Sequence, residues 1–259
     1  LSTLLAGQPW TAPAPDAWDD LLHTATRQGV IPLLAWALHQ RGWPDTVPPA
    51  VRRRLEKILF ASAARSVRMS HELLAVLDTL SQAPPIPVVL LKGAALGPTL
   101  YPDPSLRPMS DLDLLVPPDM VPEAAERLMA EGYQDTAPQE MMPGIDRAIH
   151  FHVHLKRDDP VPLHCEIHWT LSRGESERHA PDMDWFWGQL EPFDPRLLGV
   201  PLPPGPLEGD APLSVLTPTA HLLYLAAHLM LHHGAAEARL LWFYDIHLMV
   251  ERERSRINW

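Results

Sequence analysis

The sequence predicts an α+β protein in which a small α/β unit is flanked by N-terminal and C-terminal helical regions. Apolar residues recur at helical spacing before residue 84, and helical spacing returns after Thr217. Between Val88 and Trp169 the pattern changes to short apolar runs and strict alternation. Because strand side chains alternate every two residues and helix side chains repeat about every 3.6, this change of period indicates a change of structure.

Three helices are predicted in the N-terminal region. A helical pattern covers Ala17–Gln40, and Pro32 is expected to divide it into two helices. A longer helix is predicted to begin at Pro49, whose fixed backbone angle suits a first helical turn, and to end near Leu80.

The central unit is predicted to hold strands and two short helices. The apolar or alternating runs predict strands at Val88–Leu91, Asp111–Val116, His150–Leu155 and Leu163–Leu171. The helices are expected to follow Gly93, over Ala94–Tyr101, and to cover Pro122–Glu131 with Gly132 at the C-terminal end.

A segment rich in proline and glycine, Pro192–Pro212, is predicted to be a linker or loop. A helix opening at Thr217-Pro218 and another from about Ala235 to Glu253 are expected to follow it. The chain is therefore divided into an N-terminal helical region (1–84), an α/β core (85–190), a linker (191–212) and a C-terminal helical region (213–259).

Composition limits the function classes. The 259 residues are 46% hydrophobic, as in a globular protein, and the net charge of −11 argues against broad binding to a nucleic-acid backbone. No apolar run has the length of a membrane span, and the first residues lack the pattern of a signal peptide. The single cysteine, Cys165, favours a reducing compartment. A cytoplasmic protein without a membrane partner is expected.

Asp111 and Asp113 carry the main chemical signal. Residues two apart in a strand project from the same face, so these carboxylates repel each other unless a cation lies between them. Mg²⁺ prefers oxygen ligands and commonly combines carboxylates with substrate phosphates, and Mn²⁺ is an alternative. Glu166, on the polar face of a later strand, is the expected third ligand. The sequence predicts a phosphoryl-transfer site with one or two metal ions.

Gly93 is predicted to form part of a phosphate site. A glycine at a strand-to-helix turn allows close backbone approach, and the following helix start offers free N–H groups. Lys92, Arg107 and Ser110 are expected to add charge or hydrogen bonds to the same phosphates. A purely structural alternative is that the aspartates cap a loop or pair with Arg107.

Three segments, LLKGAAL, YPDPSLRPMSDLDLLV and CEIHWTL, resemble the uncharacterised bacterial nucleotidyltransferase family of the polymerase-β-like superfamily. The resemblance covers roughly Val88 to Val250. It implies a small mixed-sheet nucleotidyltransferase core with Asp111, Asp113 and Glu166 as Mg²⁺ ligands. It also implies that Gly93 and its neighbours hold the triphosphate.

One position departs from the superfamily pattern. Gly-Ser or Gly-Gly is usual at this turn, whereas here it is Gly93-Ala94, which lacks a hydroxyl for the phosphate. Either Lys92 substitutes for that hydroxyl or triphosphate binding is weaker.

The histidines leave two interpretations open. His150, His152 and His154 share one predicted strand face, and His164 and His168 flank Glu166 on another. Imidazoles suit zinc, but hydrogen bonding within the carboxylate site is the favoured interpretation. His168 is expected to orient Glu166 without binding the metal itself.

The predicted function is Mg²⁺-dependent transfer of a nucleoside monophosphate from a nucleoside triphosphate such as ATP to an unidentified acceptor. A small-molecule or protein acceptor is favoured over RNA because the chain is acidic. The main alternative is a catalytically inactive, antitoxin-like binding protein with the same fold. A glycosyltransferase that uses Asp-x-Asp and Mn²⁺ would explain the aspartate pair but not Lys92-Gly93 or Glu166.

Overall fold

The computed structural model describes residues 11–136, 152–159, 161–171, 182–203, 213–233 and 238–259. Their strands form one mixed sheet of seven strands in the order β3-β4-β5-β2-β1-β7-β6. The strands are β1 Val88–Leu90, β2 Leu112–Leu115, β3 Gln134–Asp135, β4 His152–Asp159, β5 Val161–His168, β6 Leu190–Pro192 and β7 Leu213–Leu216. The α+β class and the mixed sheet are thereby confirmed.

Helices precede, follow and connect these strands. The α-helices are α1 Trp18–Arg27, α2 Ile31–Gln40, α3 Pro49–Ser81, α4 Lys92–Leu100, α5 Val121–Ala130, α6 Met183–Trp187, α7 Pro218–Ala227 and α8 Leu240–Glu253. Short 3₁₀ helices occur at Pro15–Ala17, Pro104–Leu106 and Pro195–Leu198, and a π-helical turn, His228–His233, extends α7.

The first two helices are separated just before Pro32 rather than at it. Gln28–Val30 form the break, and Gly29 there has a φ of +72°, a left-handed conformation that glycine adopts without a steric penalty. Pro32 lies in the first turn of α2, where its missing N–H has no helical partner to lose.

Three strands were missed by the sequence analysis. The first is the two-residue β3, which pairs with β4. β6 begins just before the proline-rich segment and β7 follows it, and β7 pairs in parallel with β1 through Leu213 opposite Val88. Four residues are too few to show a clear alternation, and the partner of β7 lies more than a hundred residues away. The proposed region boundaries remain predictions.

The two faces of the sheet pack against different elements, and the acidic residues project from only one of them. On one face, Leu112, Leu114 and Ile167 join the core formed with α3 and α5. On the other, Leu115 packs with Tyr224 of α7. Asp113 and Glu166 alternate with the residues of the first face and therefore project toward the second.

The N-terminal and C-terminal helices share a second core. Leu22 of α1, Leu34 of α2 and Leu248 of α8 are buried in one cluster, which also includes Leu100 at the end of α4. Backbone and side-chain atoms of Gln28 accept hydrogen bonds from the start of α8. Among the described residues, no helix combines the length and apolar character needed to cross a membrane.

Candidate active site

Three carboxylates converge where β2 and β5 lie side by side. The two strands are parallel, and their register places Asp113 directly opposite Glu166. One carboxylate oxygen from each of Asp111, Asp113 and Glu166 lies within 4.8 Å of the other two. The predicted trio therefore comes together on one face, a geometry able to bind a divalent cation with oxygen ligands.

Lys92 supplies a positive charge to this cluster. Its Nζ donates to Asp113 Oδ1 at 2.6 Å, and both side chains are largely buried. The backbone of Lys92, the first residue of α4, has a φ of +42°, which is unusual for a residue with a side chain. This conformation costs energy, and such backbone strain is concentrated at functional sites.

His168 connects two of the carboxylates. Its Nε2 lies 3.0 Å from Asp113 Oδ1 and 3.3 Å from Glu166 Oε2. Burial alone would lower the pKa of His168, but these two contacts raise it above the ordinary value. His168 thus contacts Glu166, and its predicted role in orienting that carboxylate stays a prediction.

The two aspartates have opposite pKa shifts. Although burial disfavours a charged Asp113, Lys92 and then His168 lower its pKa well below the ordinary value. Burial raises the pKa of Asp111, and the neighbouring Asp113 and Glu166 charges raise it further, against the attraction of Lys92 and the hydrogen bond from Ser110. As expected for two adjacent carboxylates, one is held ionised by a cation and the other resists ionisation.

Gly93 is required by its protein neighbours. A Cβ at this position would lie 2.5 Å from Arg107 Nη1 and 2.5 Å from Met109 Cγ. The sequence analysis explains this glycine by the close approach of a phosphate. In the structure, the space that a Cβ would occupy is instead filled by the side chains of Arg107 and Met109. The N–H groups at the start of α4 are a separate feature and stay the predicted phosphate site.

Arg107 is engaged with α8. Its Nε and Nη2 donate to the two oxygens of Asp245 at 3.0 and 2.8 Å, and Tyr101 donates to the same carboxylate at 2.6 Å. Arg107 and Asp245 are 7% and 1% exposed, so this is a buried, bidentate ion pair. No local pattern revealed it, because Asp245 is 138 residues from Arg107.

Further histidines lie along the same strands. His152 of β4 is paired with His168 of β5, and its Nδ1 lies 3.8 Å from Glu166 Oε2. His154 Nε2 is 3.0 Å from His164 Nδ1. The expected face of imidazoles beside the carboxylates is therefore present, while His150 lies outside the described residues.

Comparison with known families decides the class of the protein. A family model described as an uncharacterised nucleotidyltransferase matches residues 14–259. The chain belongs to this nucleotidyltransferase family. The resemblance noted over Val88–Val250 is thus confirmed, and the match also includes the N-terminal helices. Membership assigns the chain to the transferase enzymes.

Other comparisons add little. No curated protein sequence matches the chain. A solution structure of the antibiotic-resistance factor ANT(2'')-Ia is similar at 15% sequence identity, covering 75% of this chain and 94% of that one, with a TM-score of 0.37. A similarity of this size carries no argument about activity or substrate.

Proposed function

We propose that this nucleotidyltransferase is Mg²⁺-dependent and transfers a nucleoside monophosphate from a nucleoside triphosphate to an acceptor. The observation that carries the proposal is the convergence of Asp111, Asp113 and Glu166 on one face of the sheet, beside the start of α4. Family membership supports the class of reaction. ATP is the first donor to test.

The chemistry of the ligand set fits Mg²⁺. All three groups are carboxylates, and Asp113 is only 2% exposed, so bulk water screens the repulsion between it and its two neighbours only weakly. In the proposal Asp111, Asp113 and Glu166 hold the metal, with Mn²⁺ as a possible replacement. A bound divalent ion would neutralise phosphate charge and lower the pKa of the acceptor hydroxyl.

Lys92 and the start of α4 are assigned to the triphosphate. Helix N-termini favour anions because their N–H groups lack partners, and Lys92 adds a full charge next to them. We assign Lys92 two partners in turn, Asp113 in the resting protein and a phosphate oxygen in the complex. Ser110, exposed beside Asp111, is assigned a hydrogen bond to the same phosphates.

Arg107 is assigned a positioning role instead of direct phosphate contact. Two of its nitrogens bind Asp245, and a third lies against Gly93. Loss of this pair would let the Gly93 turn shift, and small misplacements at a reacting centre strongly reduce rates. The expected signature is a raised KM for the triphosphate.

In the reaction, an acceptor oxygen attacks the α-phosphorus and the bond to the oxygen bridging the α- and β-phosphates breaks. Pyrophosphate leaves with the electron pair of that bond. We assign the acceptor's proton to Glu166, whose side chain is 18% exposed and whose Oε2 lies near two imidazoles. Asp113 is less suited because Lys92 and His168 already occupy Oδ1.

The acceptor is proposed to be a small molecule or a protein, and less so RNA. A net charge of −11 disfavours a polyanion that needs many basic contacts. The single cysteine fits the cytoplasm, where Mg²⁺ and triphosphates are available, and this location is part of the proposal.

Nucleotide binding and transfer test the proposal together. Calorimetry with Mg²⁺ and a non-hydrolysable triphosphate should show binding to the wild type and at least tenfold weaker binding to Asp113→Asn. Transfer from α-³²P-labelled triphosphates to a panel of small molecules and proteins should fall at least 100-fold in Asp111→Asn and Asp113→Asn. Asp119→Asn, which changes an exposed acid just beyond β2, is the matched control.

Equal binding and equal turnover in the wild type and both site variants would overturn the proposal. Absence of metal–triphosphate binding to the wild type would instead support the inactive binding protein considered above.

A further inference from the structure

A second group of ligands lies beside the carboxylates and differs from them chemically. His152, Glu166 and His168 each offer one atom within 4.8 Å of the others. β4 and β5 run antiparallel, and their register places His152 opposite His168 with Glu166 on the same face. Two imidazoles and one carboxylate thus converge on a site that the carboxylate trio shares only through Glu166.

The distances in this group match zinc geometry. Zinc bonds to nitrogen and oxygen are about 2.0–2.2 Å, which places tetrahedral ligands about 3.4 Å apart. Glu166 Oε2 lies 3.3 Å from His168 Nε2 and 3.8 Å from His152 Nδ1. Small side-chain adjustments would close the remaining difference, because His152 and Glu166 are only partly buried.

The ligand types discriminate between metals. Mg²⁺ prefers oxygen and suits the trio of carboxylates, whereas imidazole nitrogens favour zinc and its neighbours in the transition series. Two histidines with one glutamate also form a three-ligand set of the kind that leaves zinc a fourth position open to water or substrate.

We propose that His152, Glu166 and His168 bind Zn²⁺ and that this binding removes Glu166 from the carboxylate trio. Zinc would also take His168 Nε2 from Asp113 Oδ1, to which it is now hydrogen-bonded at 3.0 Å. The two metal sites therefore exclude each other. The resulting zinc inhibition rests on the proposed function, but zinc binding itself does not.

Zinc titration of the full chain in Mg²⁺-free buffer tests the site directly. Calorimetry should show one Zn²⁺ bound by the wild type and at least 30-fold weaker binding by His152→Gln. Asp111→Asn should stay within threefold of the wild type, because Asp111 belongs to the other trio. Co²⁺ should give the intense visible absorption of a tetrahedral site in the wild type, and His152→Gln should lose it.

His164→Gln is the matched control and also detects a different site. His154 and His164 form a neighbouring imidazole pair, and His164→Gln should keep wild-type zinc affinity. Zinc binding that survives His152→Gln, or that is lost in His164→Gln, would overturn the assignment. Circular dichroism and melting curves for each variant separate loss of a ligand from loss of the fold.

Competition tests the exclusion of one metal by the other. Saturating Mg²⁺ and a non-hydrolysable triphosphate should weaken zinc binding to the wild type at least tenfold. An unchanged zinc affinity would overturn the proposed exclusion of one metal by the other. In transfer assays, Zn²⁺ should inhibit the wild type. The His152→Gln variant should have nearly the same activity with and without Zn²⁺. If no turnover is found but zinc binds as described, the proposed function fails and the zinc site stands.

Discussion

At the residue scale, the carboxylates of the site differ because their neighbours differ. Asp113 lies between Lys92 and His168 and is held ionised, whereas at Asp111 burial and two negative neighbours outweigh the attraction of Lys92 and the hydrogen bond from Ser110. The buried Asp113 carboxylate is thus neutralised by a cation of the chain itself. Lys92 is the residue on which this arrangement depends.

Removing Lys92 should expose the cost of the buried Asp113 charge. Lys92→Met is expected to lower the free energy of unfolding at pH 7 by about 1–3 kcal/mol, because Asp113 loses its nearest cation. Urea unfolding measures the change. In the double variant with Asp113→Asn, most of that loss should disappear. Lys57→Met, at an exposed position of α3, is the control. Equal losses of unfolding free energy in Lys92→Met and Lys57→Met would contradict a stabilising role for the ion pair.

The two glycines of α4 offer a matched steric comparison. Gly93→Ala places a methyl group 2.5 Å from Arg107 Nη1 and Met109 Cγ, and Arg107 cannot yield easily because Asp245 holds it. We expect a loss of about 2 kcal/mol, or a fall in Tm of roughly 4–8 °C. Gly97→Ala, whose nearest new contact is 3.7 Å away, should be neutral or stabilising. Similar melting temperatures for the two variants would refute the crowding at Gly93.

The residues of the site were predictable from sequence to different degrees. Alternation within one strand revealed that Asp111 and Asp113 share a face, and Glu166 stood out as an acid in an alternating run. The partners of Lys92 and Arg107 were not visible, because each depends on distances between elements far apart in the chain.

At the element scale, the buried ion pair between Arg107 and Asp245 connects α8 to the segment that precedes β2. Tyr101 adds a hydrogen bond to the same carboxylate, so the end of α4, the segment before β2 and α8 meet at one point. An acid on an apolar helix face requires such a partner. The C-terminal helix is thereby connected to the turn at Gly93.

Breaking this pair should be more damaging than removing one hydrogen bond from it. Asp245→Asn leaves the Arg107 guanidinium buried without a counter-charge and should cost about 3–5 kcal/mol of unfolding free energy. Tyr101→Phe, which keeps the ion pair, should cost about 1 kcal/mol. Chemical denaturation measures both, and Glu251→Gln on the exposed side of α8 is the control. A loss in Asp245→Asn no larger than in Tyr101→Phe would show that the pair contributes little.

Long elements were predicted well and short ones poorly. The apolar stripe of α3 extends over many turns, and its predicted end at Leu80 is one residue from the observed end at Ser81. β6 and β7, with three and four residues, have no period of their own and form through pairing with the rest of the sheet. β7, which pairs with β1, was therefore assigned to the C-terminal helical region in the sequence analysis.

At the scale of the whole molecule, two cores meet along α4. One lies between the sheet and the helices α3 and α5, and the other joins α1 and α2 to α8. The sequence analysis found helices at both ends of the chain but not their common core, because hydrophobic periodicity shows which face is buried and not what covers it.

Acid should weaken the fold through buried His221 of α7. Burial and the nearby Arg107 charge lower the pKa of His221 to about 3, from about 6.5 in an unfolded chain. Below pH 6.5 the unfolded state therefore binds a proton that the native state does not, so stability falls as pH decreases. This one group should make the fold about 2 kcal/mol less stable at pH 5 than at pH 8.

Unfolding free energies at pH 8 and pH 5 measure this effect. The difference between the two pH values should be about 2 kcal/mol smaller in His221→Leu than in the wild type. His152, whose pKa burial lowers to about 4, adds to the wild-type effect in the same direction. His23→Gln, at an exposed position of α1, controls for loss of an imidazole. An unchanged difference in His221→Leu would contradict the burial of a neutral imidazole.

The most direct test of the central claim is a crystal structure of the chain with Mg²⁺ and a non-hydrolysable nucleoside triphosphate. We predict an ion about 2.1 Å from oxygens of at least two of Asp111, Asp113 and Glu166, with the α-phosphate beside it. The Lys92 ammonium should have moved from Asp113 to a phosphate oxygen. A nucleotide bound elsewhere, with Lys92 still on Asp113 and no ion among the three carboxylates, would contradict the account.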